Sequence, residues 1–178
     1  GVVTPPAKNP VKALPATEAS PELKSGGLTI QVDGFQFNGV TAFPVEVLME
    51  ASNARLNQAY DLAGLQHIAN RITAHYRESG YLVARAWLAP QVINDHVVVF
   101  QVYEGHLSTS EPIRVVPKVA EVDVKRVTHI AQQSVCQQDD CSSQPLMQEH
   151  VDRAALLVTE ITGYQVKGEL VPGKELGT

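Results

Sequence analysis

Six histidines, two cysteines and one adjacent carboxylate pair are the residues of this chain whose types could do chemistry. Hydrolysis at a metal would need histidines at fixed spacing, as in HExxH, so that one helix face presents both rings. Here His67, His75, His96, His106, His129 and His150 are dispersed, and none sits beside a cysteine nucleophile pattern. Cys136 and Cys141 enclose four residues in CQQDDC. A thiol redox centre would want two intervening residues, and a structural zinc site would want a second ligand pair. Asp139 and Asp140 have the chemistry to bind a cation, yet adjacent carboxylates on a short loop are ordinarily solvated. No GxSxG, P-loop or GxGxxG run occurs. The sequence therefore reads as that of a non-enzyme with no cofactor and no metal.

The elements around these residues are organised by the stretch from Asp61 to Gly105. Leu62, Leu65, Ala69, Ile72 and Tyr76 recur at steps of three and four, one apolar stripe of a helix capped by Asp61. Gly80 stops that helix, because a residue without Cβ reaches the left-handed C′ conformation at little cost. Tyr81–Leu88 and Val97–Tyr103 are rich in β-branched and aromatic residues, and the loop between them contains Pro90 and Asn94-Asp95. The spacing predicts helix, stop, strand, loop and antiparallel strand. Upstream, Leu28, Ile30 and Val32 alternate with polar residues as a half-buried strand ending near Gly34. FQFNGVTAFP reads as irregular, and Pro44 opens a helix to about Leu56. The order is β-α-α-β-β.

That order begins again. PIRVV (Pro112–Val116) is a short strand candidate. Val122–Cys136 and Gln144–Thr162 carry helical stripes. The second of these helices ends at Gly163, and Tyr164 to Val171 reads as the next strand. The exits GYLVARAWLAP and GYQVKGELVP align on Gly, Tyr and Val, which points to an internal repeat. Too few residues follow Pro172 for a third strand, so the second unit is expected to lack it and to exchange amide hydrogens faster than the first.

Composition bounds the rest. Hydrophobic content of 44% suffices for packed cores, and 6% aromatic content makes them aliphatic. Net charge is −5, and the 14 Lys and Arg residues are scattered singly, against nucleic-acid binding. No apolar run approaches the roughly 18 residues of a membrane helix. Residues 1–27, with Pro5, Pro6, Pro10, Pro15 and Pro21, read as an extended linker or tail. The start at Gly1, with neither Met nor a signal-peptide pattern, fits a processed or recombinant product.

Arg71-Ile72, Tyr76, Gly80-Tyr81-Leu82-Val83-Ala84-Arg85-Ala86, Pro90-Gln91 and then VVVFQVYEG resemble the first polypeptide-transport-associated (POTRA) domain of two-partner-secretion translocators. AALLVTEITGYQVKGELVPGKELGT is similar to the second such domain. One departure stands in the hairpin loop, where the family has Asp-Gly and this chain has Asp95-His96. The resemblance implies an α+β fold of tandem POTRA modules, 28–107 and 108–178, each β-α-α-β-β with two helices packed on a three-stranded sheet. It also implies a periplasmic location ahead of an outer-membrane β-barrel that lies outside this sequence. The partner would be a secreted exoprotein, bound through its N-terminal secretion domain. The alternative is a scaffold that binds a folded partner in barrel assembly or cell division. In an exported protein the even cysteine count makes a Cys136–Cys141 disulfide the expectation.

Tyr81–Leu88 adds a physical hint. Tyr81, Val83 and Trp87 line one side, and Leu82, Ala84, Ala86 and Leu88 the other. A sheet covered by helices on one face alternates apolar and polar residues, so a second apolar side asks for a further occupant. Leu82, Ala84, Arg85, Ala86 and Leu88 are accordingly the candidate client-binding residues, with an exposed strand edge free to pair with an extended client. Arg85 is the one charge there. Glu104-Gly105 reads as the exit turn between modules.

Overall fold

Alternation from Leu28 onward produces two short strands, joined at a bend where the amides of Asp33 and Gly34 both donate to the His96 carbonyl. The structure, a computed structural model, describes residues 27–136, 141 and 144–172. The Pro-rich stretch before Gly27, the Asp139-Asp140 pair and residues 173–178 lie outside the described residues. Strand β1 (Ile30–Val32) pairs antiparallel with β3 (Gln58–Tyr60). Strand β2 (Gly34–Asn38) lies in the stretch expected to be irregular, and pairs in parallel with β5 (Val97–Tyr103). Its local sequence is Gly- and Asn-bounded, but Phe37 is buried and stacks on Phe100, so tertiary packing overrides the local signal.

Helix α1 (Val45–Ser52) has Pro44 as its N-cap rather than its first residue. It stops short of Leu56 because Asn53 takes the left-handed conformation (φ 54°), which a short polar side chain tolerates. Helix α2 (Leu62–Glu78) begins as its sequence dictates. Asp61 Oδ1 accepts from the Gly64 amide at 2.7 Å, and Leu65, Ile68, Ala69, Ile72 and Tyr76 are buried. Gly80 follows the helix at φ +92°. Strand β4 (Arg85–Leu88) starts four residues later than expected, since Tyr81–Ala84 cross from helix to sheet outside its ladder. The sheet order is β2-β5-β4, with β4 antiparallel to β5 in the register Ala86 to Val102. The Asp95-His96 departure costs the hairpin nothing. Both residues have positive φ (53° and 58°), and Val97 N–H donates to the Asn94 carbonyl at 3.1 Å, as a type I′ turn requires.

The second half has a helix pair, α3 (Val124–Val135, capped by Asp123) and α4 (Gln148–Thr162, ended by Gly163). Val127, Ala131 and Val158 form its core, with Ile113 and Val115 packed against them. Among the described residues from 108 onward there is no strand, so Pro112–Val116 and Tyr164–Val171 correct the expected ladder. Ile113 and Val115 alternate with exposed residues and pack inward on the helix pair. What is missing is a described neighbour to receive their backbone groups, and a strand exists only by pairing. Tyr164, Val166 and Leu170 stand exposed.

The halves are joined by a strap. Pro145–Met147, just before α4, lies between two segments of the first half. Leu146 N–H donates to the Gly105 carbonyl (2.9 Å), Leu82 N–H donates to the Leu146 carbonyl (3.2 Å), and Gln148 N–H donates to the Gly80 carbonyl (2.9 Å). Tyr81 pairs with Met147 and His106 with Pro145. Cys136 and Cys141 are disulfide-bonded, with Cα atoms 4.7 Å apart, in the loop that delivers this strap.

Closing so short a loop removes limited chain entropy, so a Cys136→Ser, Cys141→Ser double variant should lose about 2 kcal/mol. Amide exchange should speed up in α4 and stay unchanged in α2. Acceleration in α2 of equal size would show that the disulfide supports the whole molecule.

Candidate polypeptide-docking site

The candidate site is positioned by a buried carboxylate that the sequence reading took for part of an exit turn. Glu104 is 2% exposed. Its Oε1 accepts from the amides of Thr41 (2.8 Å) and Ala42 (2.9 Å) and from the Tyr76 hydroxyl (2.7 Å), while Oε2 accepts from the Thr41 hydroxyl. Burial pushes this carboxyl up, but the hydrogen bonds from Thr41, Ala42 and Tyr76 outweigh it and hold the pKa below the ordinary 4.5. Tyr76 is displaced the other way. Burial first, then the bond to Glu104, raises its hydroxyl above 10.0. Around it Phe43, Tyr76 and Tyr81 meet with ring centroids 4.9 to 5.7 Å apart. Gly105 then turns at φ +79°, where a Cβ would collide with Val83. The signal for Glu104 was present as one carboxylate ending an otherwise uncharged strand, but its partners lie some sixty residues upstream or on a helix.

The five expected contact residues separate on this frame. Ala84 (0% exposed) and Ala86 (4%) belong to the core beneath α2, and Leu88 packs against the same core. The face expected to await a client is the face the helices cover, because β4 carries its smallest residues where α2 approaches closest. Leu82 is half-buried, and its amide is engaged by the strap. Only Arg85 is exposed, beside Val83 and Trp87 on the sheet's other face, and it forms no ion pair with any described residue.

The edge along β4 is also partly occupied. Thr73 of α2 accepts from the Ala86 amide (2.9 Å), while its hydroxyl, with one proton to give, lies nearer the Ala69 carbonyl (3.0 Å) than the Ala86 carbonyl (3.4 Å), so the side chain takes the outward amide. The Pro90-Gln91 motif has a similar role one rung further. Gln91 accepts from the Val99 amide (2.8 Å) and donates to the Val99 carbonyl (2.7 Å), extending the ladder past Leu88 with a side chain. Tyr81–Leu82 are paired to the strap. By contrast, no described residue hydrogen-bonds to the outer side of Phe35–Asn38 in β2. No group of three His, Cys, Asp or Glu able to hold a metal occurs among the described residues, and none of their helices is long and apolar enough to cross a membrane.

This architecture, with its GY stop, PQ ladder extension and terminal EG, has counterparts. The family profile described as "POTRA domain, ShlB-type" matches residues 21–105. Residues 21–105 are thus similar to a ShlB-type POTRA domain. POTRA domains of this kind are non-enzymatic transport and scaffold modules. Among curated proteins, the heme/hemopexin transporter protein HuxB of Haemophilus influenzae is 24% identical over 119 residues, 65% of this chain and 19% of that protein. The chain thus spans about a fifth of the length of the curated relatives it matches. Among solved structures, CdiB from Escherichia coli superposes with a TM-score of 0.67 at 18% identity, covering 91% of this chain and 28% of that one. POTRA1-3 of Omp85 from Anabaena gives 0.57 at 20% identity, over 83% and 61%. The fold is the mixed α+β fold of POTRA proteins.

Two outcomes check this assignment of faces and charges. Ala84→Asp and Ala86→Asp should each cost about 3 kcal/mol or more, as an unpaired charge in a core does, while Arg85→Glu should stay within about 0.5 kcal/mol of the parent in urea unfolding. The depressed Glu104 pKa contributes stability that is present above 4.5 and lost as pH falls through the folded value. Glu104→Gln should therefore be less stable at neutral pH, and its gap to the parent should narrow in acid. A gap independent of pH would mean that the carboxylate is not ionised in the folded protein.

Proposed function

We propose that this chain is the periplasmic, client-receiving part of an outer-membrane β-barrel translocator that secretes a partner exoprotein by the two-partner route. The observation that carries the reading is the ShlB-type POTRA match over residues 21–105, supported by the CdiB-like superposition along most of the chain. The two modules are taken as 28–107 and 108–178, after a linker of residues 1–27. The partner is the exoprotein's N-terminal secretion domain, arriving unfolded, and the β-barrel follows in the same protein.

Pairing with an extended client is placed at the outer edge of β2. A strand edge offers unsatisfied N–H and C=O groups in register, which bind a chain through its backbone and so tolerate varied sequence. Thr73 and the strap remove most of the competing edge at Tyr81–Leu88. Of the original contact set, Arg85 remains in the proposal, with Trp87, as a polar and aromatic contact on the outer face of the sheet. A scaffold for folded partners is the second reading, and it predicts no backbone pairing.

Hydrogen exchange with and without the purified secretion domain of the cognate exoprotein distinguishes the two. Protection should appear at the amides of β2 and be absent with a peptide N-methylated on alternate residues. Binding without any protection in β2 would leave the scaffold reading in its place.

A further inference from the structure

A cleft of about 500 Å³ opens between the end of α1 and the first turns of α2, away from the sheet edges. Gly64, His67, Ile68 and Arg71 form one wall at helical spacing, and Asn53, Arg55, Gln58 and Tyr60 line the other. Its charge is unlike that of the molecule. The chain is net −5, yet this lining contains Arg55, Arg71 and His67 and no Asp or Glu, the adjacent Asp61 carboxylate being engaged as a cap by the Gly64 amide. Neither guanidinium forms an ion pair with any described residue. The walls are held in place. The Tyr60 hydroxyl accepts from the Arg55 amide (2.9 Å) and donates to the Arg55 carbonyl (3.0 Å), and Ile68 is buried at the base.

We infer that this cleft binds a carboxylate side chain of a partner polypeptide, an acidic residue next to an aliphatic one. Arg55 and Arg71 bring two guanidinium side chains from separate elements to one cleft, and a planar guanidinium suits a carboxylate, whose two oxygens accept paired N–H donors. Ile68 and the Tyr60 ring offer the neighbouring residue an apolar floor. A polyanionic surface such as nucleic acid or anionic lipid is disfavoured, because it would meet the chain's excess of negative charge around two local cations. The inference deepens the secretion reading by adding to the backbone edge, which does not read sequence, a side-chain contact that does.

The test titrates the full chain with three probes, Ac-Leu-Glu-Leu-NH2, its Gln counterpart and inorganic phosphate, while amide shifts are recorded. The Glu peptide should shift the amides of Asn53, Gln58, Gly64 and His67, and the Gln peptide should not. Arg71→Gln and Arg55→Gln should each weaken binding about tenfold, with unchanged thermal unfolding. Equal shifts from the Gln peptide, phosphate binding as tight as the Glu peptide, or no shift at all would each overturn the inference. Binding of the whole secretion domain is measured separately. Its loss in the parent chain would sink the secretion reading, whereas an intact secretion-domain complex with a silent cleft would sink only this inference.

Discussion

The first half of the molecule depends on one buried anion. A carboxylate removed from water costs several kcal/mol unless its lone pairs are filled, and Glu104 fills them with two loop amides, a loop hydroxyl and a helix hydroxyl. Those donors belong to the β2–α1 connection and to α2, and the acceptor belongs to the end of β5. Three separate segments are therefore held at one point, and the point is where the chain leaves the sheet. Gly105 turns immediately afterwards, against Val83, and the backbone it redirects is the one that receives the strap from the second half.

From that junction the two edges of the sheet become unequal. The β4 side is closed in turn by the Leu146 backbone, by the Thr73 hydroxyl and, for β5 beyond it, by the Gln91 amide. Each substitutes for the hydrogen bonds of a missing neighbour strand, which is how natural sheets keep an edge from pairing indiscriminately. The β2 side lacks such covers among the described residues. For the client pairing proposed at β2, this asymmetry leaves one edge rather than two open to a guest strand.

Charge follows the same division of labour. An acidic chain repels polyanions at a distance, and its isolated cationic cleft acts only at contact range, since screening removes the field of two charges within about 10 Å at ordinary salt. Backbone pairing and a local charge contact are separable sources of affinity. The two proposed contacts are assigned to different elements, β2 and the α1–α2 wall.

Much was legible before any coordinates. The stripe of α2, its Asp61 cap, the Gly80 and Gly163 stops and the hairpin turn follow from interactions spanning a few residues, whose periods and caps are written locally. The family resemblance was legible too, resting on short motifs in which Gly80 and Gly105 hold positive φ and Gln91 and Glu104 bond through their side chains. The face of β4 was not legible. Leu82-Val83-Ala84-Arg85-Ala86-Trp87-Leu88 is apolar on both sides, and period two alone does not say which side a helix will cover. Residue size was the discriminating signal, since close helix approach selects the alanines and leaves Trp87 outside. The pairing of β2, the partners of Glu104, the Thr73 cover and the strap all join residues far apart in sequence. Only the tertiary structure decided them, because a hydrogen bond between distant segments leaves no periodic trace in either one.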